Sequence, residues 1–259
     1  MWIKEMETAR QAAIEAGRVL KELYGNIKSI SKKGEIDLVT EADLMSEKVL
    51  IDAISSVFPY DRILSEEAGE KGEVSDRLWI VDPLDGTTNF AHSFPFFAVS
   101  IGFQVKNEVV AGIVYNPCLD EFFEAEKGGG ALLNKKPIRV SYKESLEESL
   151  AGTGFPYDIH ENPDEVLEYL KRMIVRAQGV RRAGAASIDL CYVAAGRLDG
   201  FWEQGLKPWD TAAGSIIVRE AGGIITDYEG NPYNPFGVST LASCPGIHGK
   251  MVEVLNNEQ

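Results

Sequence analysis

Cysteine is scarce in this chain of 259 residues, and the three present, Cys118, Cys191 and Cys244, stand far apart with no CxxC pair. That spacing excludes a disulfide framework and a thiolate zinc site, leaving reduced, mostly buried thiols as the reading. Long apolar runs are also missing: none reaches the ~18 residues that a membrane span needs. The amino terminus, MWIKEMETARQ, is polar and charged from its first turns. A soluble, cytoplasmic protein with no membrane partner is expected. Positive charge is in short supply, 26 Lys and Arg against 40 Asp and Glu, for a formal net charge of -14. Such a surface repels a nucleic-acid backbone at long range, so no nucleic-acid partner is expected. No Pro/Ser/Gly-rich linker, charge block, low-complexity tract or short-period repeat divides the chain. Residues 1–259 therefore read as a single compact domain, with an N-terminal half over about 1–140 and a C-terminal half over about 141–259.

What the chain does contain, 44% hydrophobic and 25% charged residues, suffices for a large core. Met6, Ala9, Ala13, Ala16, Val19, Leu20 and Leu23 recur at helical spacing and predict a helix over 4–23. A second helix is expected after Thr40, ending at Phe58-Pro59. Short apolar runs predict strands at 61–65 and 78–81, an antiparallel pair at 98–106 and 109–115, and a further strand at 121–126. The second half reads as helices over 163–178, 187–195 and 210–221, with strands at 200–203, 224–227 and 238–242. This order is not a clean βα repeat, which favours a layered α+β body over a barrel.

The densest chemistry lies in Trp79-Ile80-Val81-Asp82-Pro83-Leu84-Asp85-Gly86-Thr87-Thr88-Asn89-Phe90. An apolar strand runs directly into two acids three positions apart, then a glycine and two hydroxyls. Pro83 restricts the turn, and Gly86 permits close approach of backbone to a ligand. Paired carboxylates with a backbone carbonyl suit magnesium, and the N–H groups of Gly86, Thr87 and Thr88 can face a phosphate if they open a helix. An ordinary Asp-Gly turn with a capping threonine is the bland alternative. Ser65-Glu66-Glu67 puts acids at another strand end, and Pro208-Trp209-Asp210 puts one at the start of an apolar helix, where an N-cap role is also open.

These separated segments together resemble the inositol monophosphatase family. Asp82-Pro83-Leu84-Asp85-Gly86-Thr87-Thr88-Asn89-Phe90 is similar to the family's central signature, and Trp209-Asp210 with Glu220-Ala221-Gly222-Gly223 to its carboxy-terminal one. The resemblance covers nearly the whole chain. It implies a layered αβαβα sandwich, shared with fructose-1,6-bisphosphatase, and two or three Mg2+ ions. By matching positions, Glu66, Asp82 and the Leu84 carbonyl would bind one ion, and Asp82, Asp85 and Asp210 a second. Glu66 and Thr87 would orient the attacking water, with no phosphoenzyme. Lys32-Lys33-Gly34-Glu35 and the following Thr40-Glu41-Ala42-Asp43 are similar to the family's mobile loop and helix start. Asp43 and Thr40 would then support Thr87, and Lys32 would approach metal-bound waters, although the same four residues fit a helix-capping pattern.

The resemblance further implies that Asp85, Gly86, Thr87, Thr88, Gly184, Ala185, Ala186, Glu203 and Asp210 contact the substrate, with Arg181 or Arg182 nearby. Human-type members have threonine where Ala185 stands, so one hydroxyl contact is expected to be absent. The expected reaction is magnesium-dependent hydrolysis of a small phosphate ester, inositol monophosphate first. A fructose-1,6-bisphosphatase or dual-specificity enzyme is the alternative, and a metal-binding regulatory relative the non-enzymatic one. Lithium sensitivity and a homodimer are likewise implied by the family.

Overall fold

The computed structural model describes residues 2–26, 30–32 and 38–256; residues 33–37 and the side chain of Lys32 lie outside what is described. The first half runs α1 (Ile3–Leu23), β1 (Ile30–Lys32), β2 (Leu38–Thr40), α2 (Glu41–Val57), β3 (Arg62–Ser65), β4 (Gly69–Lys71), β5 (Arg77–Asp85) and α3 (Thr87–Ala91). It continues through β6 (Ala98–Val105), β7 (Glu108–Asn116), β8 (Glu121–Glu126), β9 (Gly130–Leu133) and β10 (Lys136–Pro137). The second half runs β11 (Leu150–Thr153), α4 (Pro163–Ile174), β12 (Gly179–Arg181), α5 (Ala186–Ala194), β13 (Gly200–Gln204) and α6 (Pro208–Glu220). It closes with β14 (Ile224–Thr226), β15 (Ser239–Ser243) and α7 (Pro245–Asn256).

Eight strands form one sheet in the order β10-β9-β8-β7-β6-β5-β3-β4, and five form a second in the order β12-β11-β13-β15-β14. Helices α1 and α2 pack together on one face of the larger sheet, while α5 and α6 fill the space between the sheets and α4 and α7 pair on the far side of the smaller one. The layers are therefore helix, sheet, helix, sheet, helix, the αβαβα sandwich that the resemblance implied. Each helix pair buries an apolar stripe against a sheet, which explains why α1 places Ala9, Ala12, Ala13, Ala16 and Leu20 inward. One apolar core lies between α1, α2 and the large sheet, another around α5, α6 and the small sheet. Among the described residues no helix is long and apolar enough to cross a membrane.

Two expected helices have different ends. The one expected over 163–178 stops at Ile174, because Gly179, Val180 and Arg181 pair in parallel with Leu150, Ala151 and Gly152 and must be extended. The one expected from 210 begins at Pro208, so Asp210 is its third residue and not its N-cap. Its carboxylate instead accepts the Lys207 N–H at 2.7 Å, satisfying a donor that the helix leaves open.

Strand pairing positions the chemistry. β3 and β5 run parallel with Ser65 opposite Val81, so the residues that follow, Glu66 and Asp82, emerge side by side at the same sheet end. β5 is irregular between Asp82 and Asp85: Asp82 pairs with Ser100 and Asp85 with Ala98 on β6, three steps along one strand against two along the other. In a regular strand, residues three apart point to opposite faces. The extra residue corrects the parity, so both acids serve one cavity.

Candidate active site

A cavity of about 580 Å³ opens between the sheet ends, and Glu66, Asp82, Leu84, Asp85 and Asp210 all line it. Asp82 is 1% exposed and its Oδ1 accepts the Leu84 N–H at 2.9 Å. Burial pushes its carboxyl well above the usual range, and the charges of Glu66, Asp85 and Asp210 push it further. Asp210 is raised in the same way, first by burial and then by Asp85. Asp85 is raised by burial to about 6, held from rising further by the Ser187 N–H at 2.8 Å and the Ser187 hydroxyl at 2.5 Å. Ser187 sits in the first turn of α5, so the helix between the sheets fixes this acid.

Burial raises Asp82, Asp85 and Asp210, and neighbouring acids raise Asp82 and Asp210 further; with Glu66 they form a negative, oxygen-only donor set, the chemistry that a hard divalent cation compensates. The Leu84 carbonyl adds a fifth donor group. It accepts from the Thr87 hydroxyl at 3.0 Å and keeps a second lone pair. Among the described residues no three or more His, Cys, Asp or Glu side chains already surround one ion position. The reason is visible for three of the four: Asp82, Asp85 and Asp210 are each turned to a backbone or hydroxyl donor.

Gly86 joins β5 to α3 at φ 89°, in the left-handed region, and a Cβ there would stand 3.0 Å from the Phe96 carbonyl oxygen. That turn brings Gly86, Thr87 and Thr88 into the cavity wall. Thr87 Oγ1 donates to Asp43 Oδ1 at 3.0 Å, while Asp43 Oδ2 accepts the Thr40 N–H at 2.8 Å and the Thr40 hydroxyl at 2.6 Å. The capping and supporting roles that the sequence left open for Asp43 are thus filled together. Asp43 is fully buried behind Thr87, where burial raises its carboxyl and these bonds oppose the rise.

The cavity is also lined by Gly184, Ala185, Ala186 and Glu203. Burial pushes the Glu203 carboxyl up to about 8, with Asp189 adding to the effect and Arg182 opposing it. Gly154 gives Glu203 its room: a Cβ on Gly154 would lie 2.0 Å from Glu203 Oε2. Arg181 corrects the sequence expectation. It is exposed, donates to the Val180 carbonyl at 3.0 Å and does not line the cavity, because its strand directs it outward; Arg182 does line it, stacked 5.1 Å over the Phe155 ring. Sequence reasoning missed His92, Ser187 and the stretch from Gly154 to His160. Ser187 could have been singled out as a hydroxyl in the first turn of an inter-sheet helix; the 154–160 loop carries no motif.

The model of the Inositol monophosphatase family matches residues 2–258. A protein of Synechocystis named inositol-1-monophosphatase is 44% identical over 96% of this chain and 88% of its own. A Pseudomonas aeruginosa protein named Nus factor SuhB is 43% identical over 87% of this chain and 86% of its own. The solved inositol monophosphatase from Anabaena superposes with a TM-score of 0.90 at 40% identity, covering 98% of this chain and 96% of that one.

Proposed function

This chain belongs to the inositol monophosphatase family, and from that membership we propose that it is a magnesium-dependent phosphatase acting on phosphate monoesters, inositol monophosphate first. The observation that carries the reading is the single cavity on which Glu66, Asp82, Asp85 and Asp210 converge, with Asp82, Asp85 and Asp210 raised by burial and Asp82 and Asp210 raised further by neighbouring acids. The donors are all oxygen and fit magnesium. Glu66, Asp82 and the Leu84 carbonyl would hold one ion, Asp82, Asp85 and Asp210 a second, and a third belongs near Glu66. Magnesium bound there supplies neutralisation of phosphoryl oxygens, a more acidic water and a stabilised leaving oxygen.

The chain's own residues organise the rest. Thr87, its proton held by Asp43 and the Leu84 carbonyl, keeps lone pairs for the attacking water, which Glu66 orients from the neighbouring strand end. The N–H groups of Gly86, Thr87 and Thr88 take phosphoryl oxygens. Water oxygen bonds to phosphorus in line as the ester P–O bond breaks, the departing oxygen gains a proton, and the products are an alcohol and inorganic phosphate. Asp85 and Glu203 take hydroxyls of the organic part across the cavity, while Ala185 offers only a methyl. Ligands from both halves of the chain complete one site, so residues 1–259 act as one phosphatase unit.

Phosphate release from inositol 1-phosphate, fructose 1,6-bisphosphate and other sugar phosphates tests the substrate. Release from inositol phosphate alone supports the monophosphatase, and release from both supports dual specificity, for which Arg182 at the cavity wall offers a cation. A metal-binding regulatory role is the second reading, and one relative carries the name Nus factor SuhB; a folded, magnesium-bound protein inert on the whole panel would favour that role or another phosphate ester as substrate. Family membership also supports a cytoplasmic homodimer and inhibition by lithium. Sedimentation at several concentrations and a lithium inhibition curve test those two properties.

A further inference from the structure

Helix α2 carries three polar side chains at 43, 46 and 47, a spacing that places all of them on one helix face. All three are buried, and each holds a different piece of the site. Asp43 holds Thr87. The Ser46 hydroxyl donates to the Pro83 carbonyl at 2.7 Å, inside the turn that separates Asp82 from Asp85. Glu47 reaches the β3–β4 turn, where its Oε1 accepts from the Ser65 hydroxyl, from the Glu67 N–H at 3.1 Å and from the Ala68 N–H at 2.9 Å. These three donors flank Glu66 on both sides in sequence.

We propose that Glu47 is a positioning residue for the reaction: by gathering donors from Ser65, Glu67 and Ala68 onto one oxygen, it fixes the backbone on either side of Glu66 and sets where the Glu66 carboxylate enters the cavity. The inference rests on the reading of Glu66 as a magnesium ligand and water-orienting group. Turn closure alone does not require Glu47. Ser65 pairs with Gly69, and Gly69 has φ 67°, so the three-residue loop already has the left-handed glycine that closes such hairpins. A buried carboxylate is a costly way to satisfy two loop amides that water could reach. What Glu47 adds is a fixed relation between this turn and α2, and through α2 to the elements carrying Thr87 and the two aspartates. One rigid helix face thereby holds two separate segments, 65–68 and 83–87, in a common frame, the arrangement that metal ligands require of their supporting groups.

The test uses the intact chain, stripped of metal with EDTA, as wild type, Glu47→Gln, Ser65→Ala and the double variant. Amide hydrogen exchange at Glu67 and Ala68, calorimetric titration with Mg2+ alone, and kcat and KM at several Mg2+ concentrations are measured on each. Glu47→Gln is expected to unfold cooperatively, to lose protection at those two amides and to bind Mg2+ about 10- to 100-fold more weakly. Its kcat should fall at limiting Mg2+ while KM for the ester, at saturating Mg2+, stays unchanged. The double variant should lose less than the product of the two single losses, since both substitutions break the same bond. A folded Glu47→Gln with Mg2+ affinity within about twofold of wild type, inside the range of an ordinary neutral surface change, would overturn the proposal; should that variant not fold, Ser65→Ala is judged by the same criterion. A wild type that binds Mg2+ but hydrolyses nothing would remove the phosphatase reading while leaving the positioning role of Glu47 standing on its binding data. A wild type that binds no Mg2+ would remove both.

Discussion

Thr87 Oγ1 stands 3.0 Å from Asp43 Oδ1 and also 3.0 Å from the Leu84 carbonyl oxygen. A hydroxyl has one proton, so these two acceptors share it and the lone pairs remain for a water in the cavity. Asp43→Asn weakens that constraint without changing volume. It should lower kcat by about 100-fold, the scale of a disturbed acid–base partner, with KM little changed and α2 retained by circular dichroism. Wild-type kcat in the folded variant would remove Asp43 from the mechanism.

Gly154→Ala puts a methyl where the Glu203 carboxylate lies, 2.0 Å from its Oε2, so Glu203 must move. With its carboxyl raised to about 8, Glu203 is mostly neutral near pH 7, and a lost neutral hydrogen bond corresponds to a roughly 2- to 10-fold weaker interaction. The expected result is a rise of that order in KM for a polyol phosphate, with a smaller change for a phosphate ester lacking neighbouring hydroxyls. Equal effects on both substrates would show that Glu203 does not read hydroxyls.

Mutual repulsion among Asp82, Asp85, Asp210 and Glu66 destabilises the folded chain wherever these groups are ionised. Magnesium binding only the folded form stabilises it by about 2.7 kcal/mol at a hundred times Kd. For a chain of this size that raises Tm by roughly 5–10 °C. Thermal unfolding with EDTA and with Mg2+ measures it, and the increment should shrink in Asp82→Asn. No shift in the wild type would mean that the carboxylates hold no ion.

His248 is buried between the Thr226 hydroxyl at 3.0 Å and the Ser243 hydroxyl at 2.8 Å and does not line the cavity. Burial lowers its pKa below 6.5, so the unfolded chain binds the proton more readily. Its contribution is complete above the unfolded value and is lost as pH falls from about 6.5 through the folded value. The stability difference between wild type and His248→Gln, from urea unfolding, should be constant above pH 7 and change against the wild type between pH 6.5 and 5. A difference independent of pH would contradict this.

Where the sequence was legible, residue type and periodicity acted locally. Thr40 with Asp43 announced α2, and the apolar run into Asp82 announced β5 and the two acids that line the cavity. What escaped was set by partners distant in sequence. The strand Gly179–Arg181 ends α4 early because it pairs with Leu150–Gly152, and no local pattern in Gly-Val-Arg records that. The register irregularity that brings Asp82 and Asp85 onto one cavity is visible only opposite Ala98 and Ser100. Arg181 and Arg182 are adjacent and chemically identical, and only the orientation of the chain leaving β12 separates the outward one from the one on the cavity wall. Helix α7 begins Pro-Gly-Ile-His-Gly, where two glycines argue against a helix until burial of Ile247, Met251 and Leu255 decides the matter.

The central claim is that the four converging acids make this chain a magnesium-dependent phosphatase, and phosphate release from inositol 1-phosphate across a Mg2+ titration, for wild type and Asp85→Asn, tests it most directly. Wild type should be silent in EDTA and reach a plateau with Mg2+, and the folded Asp85→Asn should fall by more than about 100-fold, beyond the loss usual for a mere supporting group. Release that does not require Mg2+, or wild-type turnover by Asp85→Asn, would contradict it.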